Sequence, residues 1–415
     1  MVKWSSRYWP EHLQVDAAPR VCLRRTVFTS TFSCRVRAWL ALAAAVLFPL
    51  LPSPTKAAEG LWKKHVVHQG SQSLTAVGDD FTKDGRPDII ANSGDKTRLF
   101  VGPDWKEIVL DATPGHDFIH SETFDVDGDG DLDFIGARYQ PGLIIWLEQP
   151  DRPLTEPWPL RVVSKDLNGI HGLLKADVNR DGRMDLIANS AQPVDTPFPE
   201  SLVWLAVPKS PRTAKSWEAH AFADKDAPGL THYLGFGDVN GDGRPDAATG
   251  AKGDPSPVGN YFAWWEAPED PAKAWKKRII ADKQIGATNI HPGDVNHDGK
   301  TDFIASRGHG NGVVWFEAPS WREHPIHATL KEPHSLIVLD MDGDGDLDAA
   351  TCAYGDKEAW WFENDGKGNF TNHLVASDQE AYDIRAFDMD QDGDLDLVIA
   401  GRASNNVAWY ENPRK

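Results

Sequence analysis

Cysteine is scarce: the chain of 415 residues has three. Two of them, Cys22 and Cys34, precede residue 59. That leaves Cys352 alone in the remainder, so no internal disulfide staples that part of the fold. Long apolar runs are also missing. The longest, Ala38 to Leu51 (AWLALAAAVLFPLL), has 14 residues. A membrane-crossing helix needs about 20, so no integral membrane span is expected. Positive charge is short: 43 Lys and Arg face 62 Asp and Glu, a formal net charge of −19. Nucleic acid and anionic membrane surfaces are polyanions, and such a chain is not expected to take either as its main partner. No nucleophile elbow occurs and Cys352 closes an apolar strand, which argues against Ser or Cys nucleophiles.

What is present suits a turn-rich, well-packed protein: 35 Gly, 29 Pro and 17 Trp, with 40% hydrophobic and 25% charged residues. The apolar run follows Arg35 and Arg37 and precedes SPTKAAEG, with small residues at Ala57 and Ala58. This is a secretory-signal pattern. Residues 1–58 are therefore expected to be a signal peptide or non-structural leader, with 59–415 as one exported domain, periplasmic, extracellular or at the cell surface.

One motif recurs seven times beyond residue 59: Asp, any, Asp/Asn/Thr, any, Asp, Gly, any, any, Asp, then an apolar run. It starts at Asp80, Asp125, Asp177, Asp238, Asp294, Asp340 and Asp388, at spacings of 45, 52, 61, 56, 46 and 48 residues. Such self-similarity points to a propeller or a solenoid. Position three is Thr82, Asp127, Asn179, Asn240, Asn296, Asp342 or Asp390. Position five is Asp84, Asp129, Asp181, Asp242, Asp298, Asp344 or Asp392, and position nine is Asp88, Asp133, Asp185, Asp246, Asp302, Asp348 or Asp396. Alternate side-chain oxygens across a glycine-permitted turn are what Ca²⁺ needs to gather six to eight ligands. Calcium is thus expected in several loops. An Asx-rich turn without metal is the alternative for one or two copies, Asp80 with Thr82 first among them. An EF-hand is excluded because position twelve is never Glu and strands, not helices, follow.

Each repeat parses into four strands. The third carries a Trp (Trp146, Trp204, Trp265, Trp315, Trp361, Trp409), in five copies with a Glu close behind, and these indoles are expected to pack between repeats. The chain stops just after a third strand, while an orphan fourth strand, Trp62 to Val67, precedes the first Asp loop. The expected fold is therefore all-β: a seven-bladed propeller of four-stranded blades, its last blade completed by the N-terminal strand, which leaves no sheet edge.

Through DVDGDGDLDFIGA (125–137), DMDGDGDLDAAT (340–351) and DMDQDGDLDLVIA (388–400) the sequence resembles the FG-GAP/VCBS-type propellers. That resemblance implies the propeller fold and calcium loops, and its members include integrin-type adhesion heads, lectins and carbohydrate-active enzymes. The Trp-Phe-Glu strands and the His positions also resemble the propeller part of bacterial relatives of aldos-2-ulose dehydratase.

If the Asp loop joins strands one and two at one face, the start of strand one and the loop after strand two lie at the other. His171, His232 and His334 stand six residues before their loops, His120 five and His291 three; Tyr382 takes the matching place in the last repeat. The loops after strand two add Arg138, Tyr139, Lys252, Arg307, His309, Tyr354 and Arg402. Imidazoles bind a divalent metal or act as general base, and arginines grip carboxylates. The expected candidates for catalysis are His120, His171, His232, His291, His334, Arg138, Arg307 and Tyr382, with a second divalent metal at the imidazoles. The expected ligand is a carbohydrate or another small acidic molecule, the chemistry β-elimination by a lyase or dehydratase, and the working unit a monomer. The alternative is a non-catalytic adhesion or protein-interaction propeller. His65, His220, His324 and His373 fall on outer strands and are expected at the surface.

The acidity is concentrated. Residues 1–58 hold 8 basic and 2 acidic side chains, so the rest of the chain is six charges more negative than the whole, at −25, and the seven loops contain 27 Asp. The opposite face is expected to be neutral to basic.

Overall fold

The computed structural model describes residues 61–253, 256 and 258–413; the expected leader lies outside them. The described chain forms seven four-stranded antiparallel sheets. Apart from one turn of 3-10 helix at Pro211–Thr213, the described residues hold no helix. None is long and apolar enough to cross a membrane.

Blade two shows the plan: Phe118–Phe124, Asp133–Arg138, Leu143–Leu147 and Leu160–Ser164 run in order from the axis outward. Second strands are covered on both faces by neighbouring blades, so Asp88–Ser93, Asp246–Ala251 and Asp348–Ala353 are buried at every position. Strands of this kind read as unbroken small or apolar runs (DAATGA, DAATCA) without alternation. The third-strand indoles fill the gaps between blades, as expected: all six are at most 5% exposed.

The outer strands differ from expectation. His65, His220, His324 and His373 lie flat on Trp409, Trp204, Trp315 and Trp361, with ring centroids 3.8, 4.3, 4.3 and 4.6 Å apart. Three of them also bond the Glu that follows the Trp: His65 to Glu411 and His324 to Glu317 at 2.8 Å, and His373 to Glu363 at 2.6 Å. They are half-buried clamps, because the outermost strand needs a flat partner over each indole.

Closure follows the sequence. Lys63–Gln69 pairs antiparallel with Asn406–Glu411 and supplies the outermost strand of blade seven. Trp62, 5% exposed, packs edge-on against Trp361 of blade six. The first strand of blade one, Ser73–Asp79, contacts the first strands of both blade two and blade seven, so the ring has no free end.

Candidate functional site

The first strands start at the face opposite the Asp loops, and there the ladder to the second strand slips by one residue in four blades. The slips lie between Ser73 and Thr75, Phe118 and His120, Thr231 and Leu234, and Pro333 and Ser335. A bulge of this kind re-aims the side chains beside it. In blade four it lets His232 and its neighbour Tyr233 both reach the axis. In blade three His171 precedes the strand instead, where Asn189 Oδ1 accepts from the amides of His171 and Gly172 at 2.7 and 2.9 Å.

The result is an imidazole cluster. One ring nitrogen each of His171, His232 and His334 lies within 4.8 Å of the others. His120 Nε2 is 3.2 Å from His171 Nδ1, and His309 Nε2 is 3.0 Å from His232 Nε2. Hydrogen-bond partners assign two tautomers. His232 Nδ1 faces the Leu230 carbonyl at 2.9 Å, and His334 Nδ1 faces the Tyr382 carbonyl at 3.3 Å. A carbonyl only accepts, so each Nδ1 carries the proton and each Nε2 presents a lone pair. His334 Nε2 is buried with no hydrogen-bond partner, in a residue 1% exposed. Tyr233 donates its hydroxyl to the same Tyr382 carbonyl at 2.7 Å.

Burial sets the electrostatics. It pushes His171 down to about 3, with the neighbouring His309 adding to the effect, and His309 down to about 4, with Lys252 and Arg402 adding. His120, His232 and His334 are also held well below the ordinary imidazole range, chiefly by burial. All five rings are therefore neutral near pH 7. Neutral imidazoles with backbone-fixed tautomers and an orphaned buried Nε2 are the donor set of a borderline transition metal such as Zn²⁺.

Tyr382 is stacked on His334 with centroids 3.7 Å apart and planes 8° apart, and Arg402 lies 4.2 Å over its ring. Three predicted residues do not join. His291 stands three residues from its loop where the others stand five or six, which puts it about 7–10 Å further down the strand. No ring contact links it to the cluster, and burial lowers it to about 4, with Arg385 as its charged neighbour. Arg138 spends its guanidinium on the Pro141 and Gly115 carbonyls, both at 2.7 Å. Arg307 turns outward to Gln284 and Glu323, while His309 from the same loop turns inward. Tyr233 was not foreseen; its one signal is adjacency to His232, and the bulge that exposes both is invisible in the sequence.

On the other face the seven Asp loops share one geometry. Position six is Gly with φ between 80° and 103° in all copies. Its amide donates to the position-one carboxylate, as Gly130 does to Asp125 Oδ2 at 2.9 Å. Position-nine carboxylates tie the loop to the end of the third strand: Asp133 accepts from Val126 at 3.0 Å and from Gln149 at 2.8 Å. Burial raises these groups, Asp88, Asp185 and Asp302 to about 6 and Asp133, Asp246, Asp348 and Asp396 to about 7. Carboxylate oxygens from three residues converge within 4.8 Å in three loops: Asp125 with Asp127 and Asp133, Asp340 with Asp342 and Asp344, and Asp388 with Asp390 and Asp396. Asp127 Oδ1, both oxygens of Asp394 and Oδ1 of Asp388 are buried without a hydrogen bond, while Asp127 Oδ2 is ion-paired to Arg212 at 2.8 Å. Hard, orphaned carboxylate oxygens fit Ca²⁺.

An FG-GAP-like repeat model matches residues 125–188, 238–305, 294–351 and 340–399, together more than half of the chain. No curated protein matches it. Among solved structures, BBS1N in complex with ARL6DN, soaked with lead, is 10% identical, covers 84% of this chain and 94% of its own, and has a TM-score of 0.54. The mercury-soaked crystal of that complex gives 10%, 85%, 96% and 0.52. YCF48 bound to a peptide gives 13%, 87%, 100% and 0.49. At these identities the BBS1N likeness speaks for the fold alone. With its family model matched over four stretches and seven blades closed into one ring, the chain belongs to the FG-GAP-like repeat family of β-propellers.

Proposed function

We propose that the axial mouth binds a divalent transition metal through His171, His232 and His334, with His309 beside them, and takes a small acidic ligand of carbohydrate type. The carrying observation is the convergence of three neutral imidazoles, two with Nδ1 committed to backbone carbonyls and one with an orphaned buried Nε2. Lys252 and Arg402 lie close enough to depress His309 and give the mouth the positive charge that attracts a carboxylate. A bound metal would supply Lewis-acid polarisation of a ligand oxygen. His120 and His309, the two imidazoles beside the three ligands, are the groups of this set that would take the proton α to a carboxylate or carbonyl that β-elimination requires. The same reading puts Ca²⁺ in Asp loops on the opposite face and the protein outside the cytoplasm as a monomer.

Cobalt titration of the full chain, read by visible absorption, tests the metal. One Co²⁺ per chain is expected, lost in His232→Ala and in His334→Ala and retained in His291→Ala; no binding by the parent overturns the reading. Incubation with polyuronates and ketosugars, followed by the ultraviolet absorbance of an unsaturated product, tests the chemistry.

A protein-interaction role is the second reading. It draws on Val194, Val258 and Ile285, which are 58%, 48% and 71% exposed on connectors of the imidazole face. BBS1N, whose structures this chain resembles in fold, is there in complex with a protein, ARL6DN. Metal-independent capture of a protein partner by that face would favour it.

A further inference from the structure

We infer that Tyr139 is the proton donor of the axial mouth: its hydroxyl protonates the oxygen that leaves in β-elimination, and Gln192 holds it for that step. This rests on the elimination chemistry proposed above and supplies the half of it that the imidazoles leave open. A base removes the proton α to the carboxylate or carbonyl, the freed electron pair forms the C=C bond, and the β C–O bond breaks with its pair on oxygen. An alkoxide or hydroxide is too basic to depart as such, so the step needs an acid as well as a base. The products are the unsaturated sugar, an alcohol or water, an imidazolium and a tyrosinate. One proton passing from imidazolium to tyrosinate through solvent restores both groups.

Tyr139 comes from the connector 139–142 after the second strand of blade two, the blade that also supplies His120. Both rings contact His171, at centroid distances of 5.6 Å for Tyr139 and 5.1 Å for His120. An acid and a base gathered at one imidazole can serve neighbouring carbons of one sugar. The Tyr139 backbone is pinned to the same place: its carbonyl accepts from the amides of Gly169 at 2.8 Å and Ile170 at 3.3 Å, the two residues before His171. The side chain is half-buried, which leaves surface for a ligand.

Gln192 decides what the hydroxyl does. Its Nε2 donates to Tyr139 Oη at 2.9 Å. An amide NH₂ only donates, so the phenol oxygen is the acceptor there and its own proton stays available. Tyr233, by contrast, spends its proton on the Tyr382 carbonyl. Gln192 stands in a long connector of blade three, residues 191–200, where blade two has 139–142. Thr196 Oγ1 donates to the Asp166 carbonyl at 2.6 Å and the Gln192 amide to the Asn168 carbonyl at 3.1 Å, which locks the connector to the segment leading into His171. Gly169 makes the approach possible: its φ is 73°, and a Cβ there would lie 2.6 Å from Gln192 Cγ.

Leaving-group dependence in the full chain tests the assignment. The probes are polygalacturonate and polymannuronate, and the matching monosaccharides with 4-nitrophenyl on the C4 oxygen, whose nitrophenolate departs without a proton. Tyr139→Phe is expected to slow elimination from the polymer about 100-fold, the scale of a lost general acid. Nitrophenolate release and exchange of the α-proton in D₂O should persist, since both need only the base. Gln192→Glu, whose carboxylate accepts the phenol proton, is expected to show the same selective loss in kcat. Unchanged elimination from the polymer in either variant, or equal loss with both leaving groups, overturns the assignment and leaves the elimination chemistry standing. No elimination by the parent from any of the four probes overturns both. Retained cobalt binding and far-UV circular dichroism show that neither variant has lost the cluster or the fold.

Discussion

Imidazoles serve two ends in this molecule, and the difference is what lies beneath each ring. On the outer strands a His lies on an indole and bonds a Glu at the blade's edge, as His324 does with Trp315 and Glu317. A partly exposed pair of this kind contributes little by charge and more by stacking. His324→Ala is therefore expected to cost about 1 kcal/mol, while Trp315→Ala, emptying a gap between blades, costs about 3–5 kcal/mol. Urea unfolding of the two variants checks the ratio; equal losses would mean that the His is itself part of the core. At the axis the rings face each other, with no carboxylate bonded to them among the described residues. The residue type and its period were legible in the sequence, and so was the axial destination of His171, His232 and His334. The outer stack was not, because it depends on register: Trp315 sits opposite His324 across the ladder, at a separation in sequence that no periodicity reports.

At the scale of elements, the second strands both build the ring and aim the site. Asn189, in the buried strand Asp185–Ser190, accepts from the amides of His171 and Gly172 and donates to the Thr231 and His232 carbonyls, both at 2.7 Å. One side chain thus replaces the missing ladder at the start of blade three and ties it to the bulge of blade four. Asn189→Leu leaves those backbone groups unpaired in a dry interior, at an expected cost of about 2–4 kcal/mol. It should also weaken cobalt binding, since both flanking imidazoles lose their anchor. Unchanged cobalt affinity in a destabilised variant would separate the two roles. The bulges belong to this scale as well. Four first strands slip by one residue at the same height, and only the packed ring fixes where each strand must begin to turn toward the axis.

For the whole molecule, closure is the decisive contact. The strand Lys63–Gln69 covers the outer edge of Asn406–Glu411. Removing residues 61–69 is expected to expose that edge and drive self-association, visible as higher species in size-exclusion chromatography; a monomer of unaltered stability would show that the ring holds without it. The two faces of the ring carry the two proposed chemistries, carboxylates at one and neutral imidazoles with cations at the other. They lie apart because every first strand runs from one face to the other. The seven repeats, the four strands of each, the swapped closing strand and the face on which each loop falls were all legible in the chain. All of these follow from spacing and strand alternation, which are local. Which side chains meet was left to the folded ring. It sent Arg138 and Arg307 to loop partners and His291 deeper along its strand, brought in Tyr233, and drew His309 from its loop against His232. Convergence at an axis depends on the bulges, rotamers and neighbouring blades that place each side chain, and those are set by packing between residues far apart in the chain.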